Sequence, residues 1–464
     1  MVFSSLTYLL LFMPIVVGLT FVCKRVSWKN AILLMASILF YGWGEPLWVY
    51  ALIGLTFLVW LCAAGVHYAK SGFWKKVCLA LAVVLSMAVL VYVKYAGFLL
   101  SPLLNLFGIT IPQVRMPLGI SFFTFQIITY AVDVYRDERL YQKSSLKLLL
   151  YVSCFPQLVA GPIVCYKDIS EEIDNRTTTP DDFVAGMKRF IYGLGKKVLL
   201  ANVCGQVVEA VIANQSMYGM SVAGSWYMAI LYSLQIYFDF SGYSDMAIGL
   251  GRIFGFHYAE NFNYPYMSQG ISEFWRRWHI SLGTFFREYV YIPLGGNRKG
   301  TLRQIFNLLV VWSLTGLWHG ANLNFVLWGL YYFFLIVLER FVFHRILKVI
   351  PGVIKGMLTY GFVLIGWVIF YFTDSTQMGS YLAALFGMGN SVPLYTQELW
   401  MVIRQYSFLP VIAMIAAFPL KDLFSSTMQQ RLKPLGTLWL LLVFVLSLLM
   451  IVGQSYNPFI YFRF

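Results

Sequence analysis

Two histidines carry most of the chemistry this sequence offers. His319 sits in Trp312-Ser-Leu-Thr-Gly-Leu-Trp-His-Gly-Ala-Asn322, between two apolar runs and with no basic cluster within ten residues. An ionisable group in such a setting is costly to bury and is functional by default. Imidazole titrates near neutrality and is the usual general base for a hydroxyl. Gly316 and Gly320 thin the helix beside it and leave room for a second backbone or an acyl chain. The competing reading is a histidine that only bonds across a helix pair as packing glue. His279 is the second, within a stretch dense in Arg, Trp and Tyr. His67, His257 and His344 lie in or beside basic or polar stretches and read as interfacial residues.

The stretch around His279, residues 273–298, is amphipathic at helical spacing. Phe274, Trp278, Ser281, Leu282 and Phe285 share one face, and Arg276, Arg277 and Arg287 fall elsewhere. It reads either as a helix lying on anionic lipid or as a pocket in which guanidinium groups grip the phosphates of a cytosolic donor. Arg276, Arg277 and Arg298 are the candidates for that grip, and the Gly295-Gly296 pair adds backbone amides. A third polar patch, residues 235–247, holds Asp239, Ser241, Tyr243 and Asp245 at the end of an apolar run. Its two acids need partners, which the Arg-rich stretch that follows is expected to supply. A structural ion-pair network and a direct site role remain equal alternatives for it.

The elements that position these residues are membrane helices. Of 464 residues, 59% are hydrophobic and only 12% charged, against about 25% charged in a soluble domain. Soluble, disordered and fibrous classes are excluded. The apolar runs are continuous and many reach the ~20 residues of a spanning helix, which disfavours a β-barrel. The net charge of +14 reads as positive-inside bias and contact with anionic lipid, not as nucleic-acid binding. The six cysteines form no CxxC pair, so neither a disulfide framework nor a metal site is expected.

The run 5–22 reads as a retained span, and Lys24, Arg25 and Lys29 after it place that loop in the cytosol. Residues 102–117 read as an outside loop. The apolar run 148–164 is broken by Pro156, Gly161 and Pro162 and reads as re-entrant. In all, 11–13 spans with one or two re-entrant pieces are expected in one integral domain, 1–464, with the tail 453–464 outside.

Several stretches together resemble one family. They include residues 117–126, Val132-Asp-Val-Tyr-Arg136, Phe155-Pro-Gln-Leu-Val-Ala-Gly-Pro162, Asp239-Phe-Ser-Gly-Tyr-Ser-Asp245, Glu260-Asn-Phe-Asn263, residues 273–298 and Leu317-Trp-His-Gly-Ala-Asn322. The chain resembles the membrane-bound O-acyltransferases, most closely their bacterial alginate and peptidoglycan O-acetylation branch. The resemblance centres on residues 117–322. It implies an all-α polytopic fold around a central tunnel. It implies His319 as the principal catalytic histidine and His279 as the second signature residue, where many relatives carry Asn or Asp. Asp239, Tyr243, Asp245, Trp318 and Asn322 are expected to support the site.

The expected reaction is O-acetylation of a cell-envelope or exported polysaccharide across a bacterial cytoplasmic membrane. Acetyl-CoA is the expected donor substrate, and no permanently bound cofactor is expected. An extracytoplasmic serine-hydrolase-like (SGNH) acetyltransferase is the expected partner. The ending Phe459-Ile-Tyr-Phe-Arg-Phe464 resembles the tyrosine-bearing tail of the small companion peptide of teichoic acid D-alanylation, which makes Tyr461 a candidate acyl carrier. A flippase for lipid-linked sugars and a non-catalytic recruiting subunit are the rival classes. The flippase would not need a solitary histidine beside Trp-Gly at mid-membrane.

Overall fold

Long apolar runs in a lipid solvent leave the backbone no partner but itself, so they fold as helices. The computed structural model describes residues 2–108, 116–213, 221–388, 393–420 and 425–453, and every element among them is helical. Among the described residues five helices are long and apolar enough to cross a membrane: Trp48–Tyr68, Gly72–Phe98, Leu323–Val342, Gly352–Tyr371 and Pro434–Gly453. The pair Gln397–Gln405 and Phe408–Ala416 is bent by 53° and makes a sixth if counted as one span.

The all-α multispanning class is therefore as expected, while the count of 11–13 exceeds what length and apolarity alone support among the described residues. The difference lies in runs that are short, such as Tyr8–Val22, or laced with polar groups, such as Val222–Ile253 and Thr301–His319. The loop expected from residue 102 also begins later. The helix Gly72–Asn105 runs through residue 102.

Among the described residues four helices contain π-turns, at Tyr8–Phe12, Lys196–Ala201, Arg287–Tyr291 and Leu338–Val342. The chain divides into two compact units, Met1–Ile191 with Tyr243–Glu260, and Tyr192–Gly242 with Asn261–Phe464. The long helix Val222–Ile253 contributes to both.

The first unit is built on an aromatic core. Phe3, Tyr8, Phe12, Phe40 and Phe155 pack with ring centroids 4.9–6.4 Å apart. Against it lies the proline-broken segment. Ser145–Ser153 ends, a single turn Phe155–Leu158 follows, and residues 159–165 are irregular yet buried. Protein groups satisfy that backbone: Tyr151 Oη donates to Val164 O at 2.7 Å, Gln157 Nε2 donates to Tyr151 O at 2.6 Å, and Phe155 N donates to Ser37 Oγ at 3.1 Å. Irregular backbone persists in an apolar protein only under such cover.

The second unit is organised by a helix hairpin, Thr301–His319 and Leu323–Val337, joined by three residues. Gly320 ends the first helix in extended backbone, and the Asn322 side chain caps the second by accepting from Asn324 N. The two backbones touch at glycines. A Cβ on Gly316 would lie 2.3 Å from Phe325 O, and one on Gly329 would lie 2.4 Å from Trp312 O.

Replacing Gly316 by Val forces these helices apart, because the atom in the way is backbone and cannot rotate aside. Overpacking costs on the order of 1–3 kcal/mol or more, and the melting temperature in detergent should fall by several degrees. Gly361→Ala, where nothing lies within 4 Å of the added carbon, should leave it unchanged or slightly raised. An unchanged melting temperature for Gly316→Val refutes the close crossing.

Candidate active site

His319 is the last residue of its helix, not an interior one, and is 5% exposed. Its ring lies 4.9 Å from the Trp328 ring and 5.2 Å from that of Phe370, both nearly perpendicular to it, and 4.9 Å from its neighbour Trp318. The space beside Gly316 and Gly320 is filled by Phe325, whose ring a Cβ on Gly320 would meet at 2.2 Å. The glycines thus admit a second backbone and a ring, not an acyl chain. Aromatic walls exclude water around the imidazole, and a charge forming there interacts with its surroundings more strongly than it would in solvent.

His279 is buried and sits at the N-cap of Ile280–Phe286 with a left-handed backbone, φ 47°. That conformation costs a non-glycine residue roughly 1–2 kcal/mol, and one asparagine holds it. Asn261 O accepts from Ile280 N at 2.9 Å. Asn261 Oδ1 accepts from Ser281 N at 3.2 Å and from Ser281 Oγ at 2.9 Å. A backbone N–H is always a donor, so the amide oxygen is fixed at this position. The same oxygen lies 3.1 Å from His279 Nδ1. Nδ1 therefore carries the proton of the neutral ring, and Nε2 carries the lone pair. Burial pushes the His279 imidazole down to about 3, so the ring is neutral at physiological pH.

Trp318 joins the two histidines. Its ring lies 5.9 Å from that of His279 and 4.9 Å from that of His319, while the Phe240 ring meets that of His279 edge-on at 4.7 Å. One indole is thus in ring contact with both imidazoles. Asn322, by contrast, is occupied in capping.

The arginine candidates divide. Arg277 is engaged, pairing with Glu273 at 2.8 Å and donating to Asn263 O at 3.3 Å. Arg276 and Arg298 are exposed and form no ion pair among the described residues. No hydrogen bond joins Arg298 to the other two.

The acids of the third patch find partners upstream, not in the Arg-rich stretch. In the second unit Asp239 pairs with Lys197 at 2.5 Å, and both side chains are 3% exposed. In the first unit Asp245 pairs with Arg189 at 2.9 Å, and Arg189 also holds Glu260. Tyr243, in the first unit, stacks on Phe3 at 4.7 Å. The cause is another glycine seam. A Cβ on Gly249 would lie 2.6 Å from Gly186 O, and one on Gly242 would lie 2.7 Å from Gly193 O. These contacts bring Val222–Ile253 against the segment that carries Arg189 and Lys197. Two lysines at 196–197 inside an apolar run were the available signal for this pair.

His67 Nδ1 faces Glu138 O at 3.2 Å, and His257 pairs with Glu172 at 2.7 Å. Both act as local anchors. Tyr461 lies outside the described residues.

A family model described as membrane-bound O-acyltransferase matches residues 134–381. A probable alginate O-acetylase of Pseudomonas putida is 37% identical, with both chains covered in full. A peptidoglycan O-acetyltransferase of Helicobacter pylori is 32% identical over 77% of this chain and 73% of its own length. A teichoic acid D-alanyltransferase of Bacillus subtilis is 27% identical over 54% of this chain and 68% of its own.

Two measurements test the geometry. Lys197→Met removes the ion-pair partner of a buried carboxylate and should cost ~3–5 kcal/mol, whereas Lys197→Met with Asp239→Leu should recover most of it. Denaturation in detergent that finds the double variant as unstable as the single one refutes a buried pair. His279 predicts acid sensitivity. The unfolded chain takes up a proton near the ordinary histidine pKa of ~6.5, and the folded chain only near 3. Stability from this group is full above the first value and is lost as pH falls toward the second. His279→Asn should flatten the dependence of melting temperature on pH between those values.

Proposed function

The chain belongs to the membrane-bound O-acyltransferase family and is a multi-pass membrane O-acyltransferase, and from that premise we propose that it moves an acetyl group from cytosolic acetyl-CoA to hydroxyls of a cell-envelope or exported polysaccharide. The observation that carries the reading is the water-excluded His319, joined through Trp318 to a second histidine of fixed tautomer. The names of the relatives support the acceptor class: alginate, peptidoglycan and teichoic acid are all envelope or exported polymers.

In this reading His319 takes the proton of an incoming hydroxyl as its oxygen attacks the thioester carbonyl. The tetrahedral adduct collapses, the CoA sulfur leaves, and the imidazolium returns the proton to it. His279, neutral and holding a lone pair on Nε2, positions the reacting groups. Arg276 and Arg298 are the better choices for the donor phosphates, because Arg277 is already paired.

The acceptor that meets His319 is Tyr461. The donor is cytosolic, the polymer lies outside, and a hydrocarbon core of ~30 Å separates them. A polymer does not fit a narrow tunnel, whereas a short tail after Pro458 does. Its phenol, with an ordinary pKa of ~10, needs a base, and the aryl ester formed is a good leaving group for a second transfer. A serine-hydrolase-like partner on the outer side of the cytoplasmic membrane completes that step.

Purified protein given radiolabelled acetyl-CoA should take up one acetyl group on Tyr461, detected by peptide mass spectrometry. His319→Ala should reduce labelling by ~10²–10⁴-fold with an unchanged melting temperature. A loss under tenfold returns His319 to a packing role, and an unlabelled wild-type tail together with normal polymer acetylation by a Tyr461→Phe strain eliminates the relay. Arg276→Ala should raise the KM for acetyl-CoA and leave kcat nearly unchanged. Equal donor affinity in wild type and variant removes Arg276 from the pocket.

A further inference from the structure

The first unit contains a cavity of about 310 Å³ that the acyl-transfer reading does not use. Lys24, Lys29, Arg176 and Thr178 line it with Phe21 and Phe254, and no carboxylate does. Neither Lys24 nor Lys29 forms an ion pair among the described residues.

Arg176 is 5% exposed. Its Nε donates to Phe254 O at 2.9 Å, and its Nη1 donates to Glu172 O and Ile173 O at 3.2 and 3.3 Å. The guanidinium also rests over the Phe256 ring, 4.4 Å from its centroid. The buried Nη2 has no protein partner among the described residues. A charged group short of hydrogen bonds in the interior is costly, and an anion in the cavity beside the guanidinium offsets its charge. Gly255 has φ +84°, and a Cβ there would lie 3.2 Å from both Arg176 Cδ and Thr178 Oγ1, so the backbone closes tightly under this wall.

The cavity also has a membrane address. Lys24 and Arg25 directly follow the apolar helix ending at Val22, and the positive-inside rule assigns that flank to the cytosol. Val22 is 81% exposed and Trp28 62% exposed, as suits residues that meet lipid. A guanidinium N–H, two ammonium groups and a hydroxyl around a space without carboxylates match a phosphate ester. We propose that this cavity is a phosphate site at the cytosolic membrane surface, with Arg176, Lys24 and Lys29 as its cations. An anionic phospholipid headgroup and the phosphates of a CoA donor share that chemistry.

Native mass spectrometry of the full chain in detergent separates these sources. The probes are phosphatidylglycerol, phosphatidylcholine and CoA, each added alone. The variant is Lys24→Gln with Lys29→Gln, which changes side chains at the rim and should melt like wild type. Wild type should retain phosphatidylglycerol in preference to phosphatidylcholine. The variant should hold it roughly thirtyfold more weakly, the loss expected for two surface cations. If CoA binding falls in the variant while the two lipids bind alike, the phosphate is the donor's. If neither phosphatidylglycerol nor CoA binds the variant more weakly than wild type, the site does not exist. Arg176→Gln serves as a second variant, since Arg176 also holds three carbonyls. None of these outcomes depends on acyl transfer by His319.

Discussion

Backbone contact at glycine sets the position of the principal histidine. Gly316 and Gly329 let two helices approach until main-chain atoms meet, and His319 follows Gly316 by three residues, on the same side of the helix. Its place against Trp328 and Phe370 is thus fixed by two main chains in contact. Side-chain packing alone lets neighbouring rotamers adjust by tenths of an ångström. Main-chain contact does not, and the general-base role proposed for His319 needs that constancy to stay within hydrogen-bond reach of an incoming hydroxyl. A second glycine seam, Gly186 with Gly249 and Gly193 with Gly242, does the same for the ion pairs of Arg189 and Lys197.

His279 is held differently. Its own backbone is strained. Asn261, from a separate stretch of chain, spends its main-chain and side-chain oxygens on the turn 279–281. The strain and the clamp together fix both the direction of the ring and the nitrogen that bears the proton. Such local strain held by a dedicated partner is a common property of functional sites. The Trp318 indole touches both imidazoles.

The sequence marks His319 plainly, because an ionisable residue between long apolar runs is rare enough to stand out. It marks the helical class for the same reason. Pro156, Gly161 and Pro162 also mark where a helix must break, and the structure breaks it there. The role of Asn261 is not legible, because an asparagine in a polar stretch has no period or charge to distinguish it and its partner lies eighteen or more residues away. The pairing of Asp239 with Lys197 is illegible for a related reason. Proximity along the chain favours the later arginines, whereas the helix crossing that decides the matter is set by glycines, whose contribution is an absence of side chain. The number of spans suffers from the opposite problem. Hydropathy counts every apolar run alike, but runs such as Tyr8–Val22 and Thr301–His319 are too short or too polar to qualify by themselves.

The π-turns have a bearing on how this chain tolerates changes in length. An α-helix turns 100° per residue, so deleting one residue from a regular helix swings everything beyond it to another face. A π-turn holds one residue more than the α-helical turn it replaces and absorbs that surplus as a local widening. At Lys196–Ala201 and Leu338–Val342 the chain therefore has places where a single codon can be lost while the flanking faces keep their bearings. Descendants of this sequence should accumulate one-residue gaps at those turns and almost nowhere else within their helices.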